Sequence, residues 1–257
     1  PAMYGNGLSG VFDIQFRTGN KSKTGYTFRA GMLGVEAAAE GPIKEGKSSF
    51  LFNYRYSTLG ILDAFGIRLV DERESNTFQD LSFKLDFTSD NPKHRFSVWG
   101  MGGLSQEIQD PIEGGPQNWR TFTDYLTLDF DSGMGVMGAT HLFLINEKSY
   151  LRTSVAVQRQ RISYVQDTLS LLEEPTLLND QEYLNTRLTL HSYYNRKLSG
   201  NATLRAGLIG TQLGYDYFSR FLFDDGFRTF LDEEGSTYML QPYATVSWKP
   251  HPRWTFN

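Results

Sequence analysis

Three groups of residues in this chain have types and spacings that could do chemistry. Gly5, Gly7 and Gly10, in GNGLSG, fit G-x-G-x-x-G, the spacing with which a backbone cradles a dinucleotide pyrophosphate. Four histidines, His94, His141, His191 and His251, are the available imidazole bases. Carboxylates cluster at Asp71-Glu72 with Glu74, at Glu173-Glu174, and at Asp224-Asp225 with Asp232-Glu233-Glu234. Carboxylates at such density can hold Ca²⁺.

None of the three survives a reading of its context. A glycine pattern binds phosphate where a helix follows it, because the helix N-terminus supplies the N–H groups and the dipole. Here residues 11–17 follow, with Phe12, Ile14 and Phe16 on one face and Asp13, Gln15 and Arg17 on the other. That alternation predicts a strand, so the glycines read as a turn. His94 and His251 fall at polar turns, and His191 neighbours Ser192, which must point to the opposite face of a strand. His141 lies in a segment whose orientation the pattern leaves open. No nucleophile and base are paired by spacing, so no catalytic residue is assigned and the chain is not expected to be an enzyme. No acidic cluster has EF-hand spacing, and charge runs in loops are ordinarily solvated, so neither a metal site nor a cofactor is expected.

The elements that would position a site are strands. The 257 residues carry a net charge of −4 and no cysteine, which gives no basic footprint for nucleic acid, no disulfide framework and no thiolate chemistry. The longest apolar runs are short, such as 142–145, against the ~18 residues of a spanning helix. Transmembrane strands remain open, since they are apolar only at alternate positions. Starting at Pro1 and stopping at 254–257 in what reads as mid-strand, the chain looks like an internal piece of something longer.

Period two runs through almost the whole sequence. Leu81, Phe83, Leu85 and Phe87 oppose Asp80, Ser82, Lys84 and Asp86; Leu184, Leu188 and Leu190 oppose Asn185, Arg187 and His191. Tyr238, Leu240, Ala244, Val246 and Trp248 oppose Gln241, Thr245 and Ser247. Segments 94–104 and 134–145 carry apolar or glycine residues on both faces, and the pattern does not orient them. Pro242 predicts a local bulge, because proline removes a ladder hydrogen bond. Short polar turns at 41–47, 89–93, 146–149, 196–201 and 249–253 alternate with long connections at 59–75, 107–119, 167–180 and 221–235. Such alternation puts all the short turns at one end of an up-and-down meander, as in outer-membrane barrels.

Aromatics gather beside the short turns, at Phe50, Phe52, Tyr150, Tyr193, Tyr194, Trp248 and Trp254. They would form an interfacial girdle in a barrel, or pack a core in a soluble β domain. Arg29, Arg55, Arg187 and Arg205 fall within strands and are expected to line a polar interior or pair with whatever fills it. The fold expected is all-β: an antiparallel up-and-down transmembrane β-barrel, present here as an incomplete set of nine strands and the start of a tenth.

Residues 4–14, YGNGLSGVFDI, resemble the end of the plug domain of TonB-dependent outer-membrane receptors. Glu40-Gly41-Pro42-Ile43, Lys47-Ser48-Ser49-Phe50 and Asn53-Tyr54-Arg55-Tyr56-Ser57 are similar to that family's first barrel hairpin. The nearest subgroup carries an N-terminal carboxypeptidase-regulatory-like domain. The resemblance implies residues 1–20 as the plug's end and 21–257 as the leading part of a barrel of twenty-two strands. It further implies an outer-membrane location and active uptake of a bulky nutrient: an iron chelate, a cobalamin or an oligosaccharide. Its partners would be outer-membrane lipid, the TonB complex reached through an upstream region, and a surface lipoprotein. On this reading, nutrient meets the connections 107–119 and 221–235, where Trp119, Phe221, Phe223 and Phe227 offer ring faces; the same rings could instead pack on neighbouring loops. The alternative is a structural or adhesive outer-membrane barrel without transport; a soluble all-β binding module is a third reading.

Overall fold

The structure, a computed structural model, describes residues 2–5, 11, 13–31, 34–66, 73–112, 114–169, 175–251 and 254–256. It is one antiparallel sheet of eleven strands in chain order, every neighbour in sequence being a neighbour in space. The strands are β1 (Gly25–Gly31), β2 (Gly34–Lys44), β3 (Ser48–Tyr56), β4 (Glu74–Thr88), β5 (His94–Gln109) and β6 (Leu126–Asn146), then β7 (Ser149–Leu169), β8 (Pro175–Lys197), β9 (Ala202–Phe223), β10 (Gly226–His251) and β11 (Trp254–Phe256). The sheet is open: β1 and β11 are its two edges. A short helix, α1 (Thr58–Ala64), stands in the connection after β3, held by Thr58 Oγ1 donating to the Gly31 carbonyl at 2.7 Å. No helix among the described residues is long and apolar enough to cross a membrane.

Directly opposed residues of an antiparallel ladder share a face, so the register sorts the whole sheet. The N-terminal segment identifies one face. Met3 accepts from Arg205 Nη1 of β9, the Phe16 carbonyl accepts from Lys84 Nζ of β4 at 3.2 Å, and Glu40 of β2 binds Arg17 at 2.5 and 2.8 Å. Of this segment, Met3 therefore lies against β9, Phe16 against β4 and Arg17 against β2. This covered face is polar: Glu40, Lys84, Ser97, Thr140, Arg152, His191, Arg205 and Thr245 all stand on it by register.

The bare face is apolar. Phe28, Phe52, Leu81, Val155, Leu188, Leu190, Leu240 and Trp248 stand on it by register, with exposures from 37 to 85%. A sheet with one layer cannot hide such a face from solvent. Among the described residues only Leu126 and Tyr193 are buried hydrophobics, so no core has formed.

The parities expected at 78–88, 184–191 and 238–248 agree with the register, and pairing with β4 orients the two undecided segments. Phe96, Val98 and Leu104 share the bare face, while Trp99 and Met101 take the covered one. Five expectations need correction. The aromatics Tyr150 and Tyr193 stand on the covered face, not in a bare-face girdle. Pro242 sits in unbroken register with Leu208; the bulges fall at Thr229/Leu231 and Trp248/His251 instead. Pro242 lies where β10 is flanked by β9 alone, a position where proline is tolerated.

Third, the strand expected over 11–17 does not form: residues 11 and 13–17 join no backbone ladder, and 12 lies outside the described residues. The segment's exit into β1 is a side-chain turn at Asn20, whose Oδ1 accepts from the N–H groups of Ser22 and Lys23 at 2.8 and 3.1 Å. Gly19 is required there, since a Cβ would run into the Phe50 carbonyl. Fourth, the hairpin of 40–57 is β2–β3, and β1 precedes it. Fifth, 221–235 is no loop: β9 and β10 pair to Phe223–Gly226, leaving Asp224-Asp225 as a two-residue turn. The ladder of β7 and β8 likewise runs to Leu169–Pro175. Gly5 keeps the expected turn conformation, φ +55, while Gly7 and Gly10 lie outside the described residues.

Candidate functional site

Strand pairing scatters the expected ligand aromatics. Trp119 sits in the connection between β5 and β6, 5.4 Å from Tyr125, in a loop pinned by Asp124. The Asp124 carboxylate accepts from the N–H groups of Arg120 and Thr121 at 2.7 and 2.8 Å and from the Thr121 hydroxyl at 2.9 Å. These bonds, the backbone ones foremost, lower its pKa below the ordinary 3.8. Phe221 and Phe223 pack against Phe230, the bulged residue of β10, at 5.5 and 5.9 Å. Phe227 lies under the Arg220 guanidinium at 4.9 Å. β7 and β8 stand between Trp119's connection and β9, so the four rings form no single platform.

The other candidate groups also separate. His94 Nδ1 and His141 Nε2 are 3.0 Å apart on the bare face, in a stack that includes Phe96 and Phe143. His191 Nε2 meets the Tyr243 hydroxyl at 2.7 Å on the covered face. Three of the four imidazoles thus have partners other than a nucleophile. Asp71, Glu72, Glu173 and Glu174 lie outside the described residues. Asp232 and Glu234 take the bare face and Glu233 the covered one, so they cannot converge on an ion. Among the described residues no three metal-ligating side chains gather.

What pairing brings together is a polar wall on the covered face of β7–β9, away from the short turns. Asn179 Nδ2 donates to Gln166 Oε1 at 3.1 Å, Gln181 Nε2 to Asn179 Oδ1 at 3.0 Å, and the Tyr183 hydroxyl to Gln181 Oε1 at 2.9 Å. Beside this chain the Tyr217 hydroxyl donates to Asn185 Oδ1 at 2.6 Å, and the Tyr183 and Tyr217 rings meet edge to face at 5.5 Å. Neutral amides and phenols offer donors, acceptors and ring faces without charge. Such a surface can bind a hydroxyl-rich ligand. Its signal in the sequence is Asn179, Gln181, Tyr183 and Asn185 at every second position.

The strand arginines lie on the covered face as expected. Arg29 pairs with Glu36 at 3.3 Å and Arg55 with Asp80 at 2.6 Å, each across neighbouring strands, and Arg205 reaches the N-terminal segment. That segment is the other feature of the face: Arg17, its guanidinium held further above its usual pKa by Glu40, and Asn20 N–H at 3.0 Å both engage the same carboxylate. No protein-family model matches the chain, and a search among curated proteins returns no match.

Proposed function

We propose that this sheet is the leading part of an outer-membrane β-barrel of the TonB-dependent receptor type, with residues 1–20 the end of its plug, working in active nutrient uptake. The observation that carries the reading is the bare face. An apolar surface spread over all the long strands, with almost no buried core, needs a second apolar layer, and a bilayer supplies one.

The height of the apolar band supports a bilayer. On β8 it runs from Leu184 to Tyr194, and on β10 from Tyr238 to Trp248. Ten residue steps at ~3.3 Å, tilted by ~40°, rise ~25 Å, the height of a barrel's lipid-facing band. Beyond it, at the end away from the short turns, the bare face turns charged: Arg161 pairs with Glu182 at 2.6 Å and Arg220 with Asp180 at 3.0 Å. Phe50, Tyr194 and Trp248 stand on the bare face near the short turns, where a girdle belongs. The N-terminal segment lies on the polar face, as a plug's end would lie in a lumen. Among iron chelates, cobalamins and oligosaccharides, the neutral wall of amides and phenols favours the hydroxyl-rich oligosaccharides.

The test is accumulation of candidate oligosaccharides, cobalamins and iron chelates by cells carrying the full-length protein, with and without the proton gradient. Uptake should stop when the gradient is collapsed, because a plug bars diffusion. Uptake that persists would mark a passive pore.

A further inference from the structure

Between the covered face and Thr18 of the N-terminal segment lies a cavity of about 390 Å³. Arg95 of β5 and Arg152 of β7 both line it, each directly opposite Leu142 of β6. They are thus two strand spacings, ~10 Å, apart at the backbone, within reach of a shared ligand for side chains of this length. Other arginines of this face, Arg29 and Arg55, each have a carboxylate partner. Among the described residues Arg95 and Arg152 have none.

Asp86, the carboxylate on the cavity wall, is 3.2 Å from Lys84 Nζ, whose positive charge offsets its own. Arg205 adds positive charge nearby, its guanidinium 5.0 Å over the ring of Tyr193, another wall residue. The hydroxyls of Thr18, Ser97 and Tyr150 complete a rim of donors.

We propose that this cavity is a binding site for a small oxyanion, a phosphate or carboxylate group carried by a solute in the lumen. Guanidinium groups bind such groups with paired, charge-assisted hydrogen bonds, and the hydroxyls supply further donors. A bound anion would touch the wall at Arg95 and Arg152 and the N-terminal segment at Thr18, and so join the two. The site rests on the reading of the covered face as a solvated lumen.

The experiment is a titration of the detergent-purified full-length protein with inorganic phosphate at constant ionic strength in chloride, read by thermal unfolding and by calorimetry. Phosphate should stabilise the wild-type protein, and Arg95→Gln/Arg152→Gln should weaken its binding about tenfold or more. Arg152→Lys, which keeps the charge and loses the fork, should fall between. An absent phosphate effect, or an effect unchanged in the double variant, overturns the site. So does a double variant that is destabilised without phosphate and blind to it, since the arginines would then be pairing with a carboxylate elsewhere in the chain. Binding is read in detergent and needs no transport, so a failure of gradient-driven uptake would refute the transport reading while leaving the titration to judge the site.

Discussion

Leu188 and Arg187 are adjacent on β8 and face opposite ways: Leu188 is 47% exposed on the bare face, and Arg187 opposes Gln158 and Leu213 on the covered one. Leu188 lies four steps from Leu184 and six from Tyr194, the ends of the apolar band, and each step rises ~2.5 Å. It therefore sits ~10 Å from one edge of the band and ~15 Å from the other, which on the proposed reading is close to the middle of a bilayer. An arginine at that depth costs roughly 2–4 kcal/mol. Leu188→Arg in the full-length protein should lower equilibrium stability in lipid vesicles by that amount and reduce the fraction reaching the outer membrane. Arg187→Leu removes a charge from the polar side and should change either measure by less than about 1 kcal/mol. Equal effects from the two substitutions, or a Leu188→Arg protein as stable as wild type, would refute the assignment of the bare face to lipid.

The N-terminal segment and the β5–β6 connection provide two further tests. Glu40→Gln removes the carboxylate that binds Arg17 twice and the Asn20 N–H once; with the Arg17 side chain 62% exposed, the loss should be about 1 kcal/mol. It should appear as faster hydrogen exchange at 17–21, while unchanged exchange would show that the latch holds nothing. Because folding lowers the Asp124 pKa, its contribution is full above pH 3.8 and is lost as pH falls through the lower folded value. Trp119 fluorescence should therefore report the connection loosening only below about pH 3.8, and Asp124→Asn should abolish that transition.

Local patterning was enough where the two faces of a strand differ in polarity. At 78–88, 184–191 and 238–248 each slip of one residue would exchange leucines for charges, so parity follows from composition alone. The up-and-down order was legible for the same reason, as turns punctuate each alternating run. Arg29, Arg55, Arg187 and Arg205 were assignable to a polar face because a charge at the level of the apolar band has one tolerable side.

Other features needed the assembled sheet. Val98 and Trp99, or Val136 and Met137, leave both faces of their strands apolar, and only pairing with β4 through β5 decides between them. Asp224-Asp225-Gly226 and the acidic 232–234 look like one solvated loop, yet the ladder of β9 and β10 runs through 232–234 as far as Gly226 and leaves only Asp224-Asp225 as its turn. Backbone pairing there tolerates acidic side chains that point away into solvent. Arg95 and Arg152 are 57 positions apart, and nothing local links them; they share a cavity because both oppose Leu142 in consecutive ladders. The sequence by itself determined strand type, order and the polarity of most faces, because those depend on neighbours two residues away. Tertiary structure decided which distant side chains meet, because that depends on register, which accumulates across strands and is written in no single one of them.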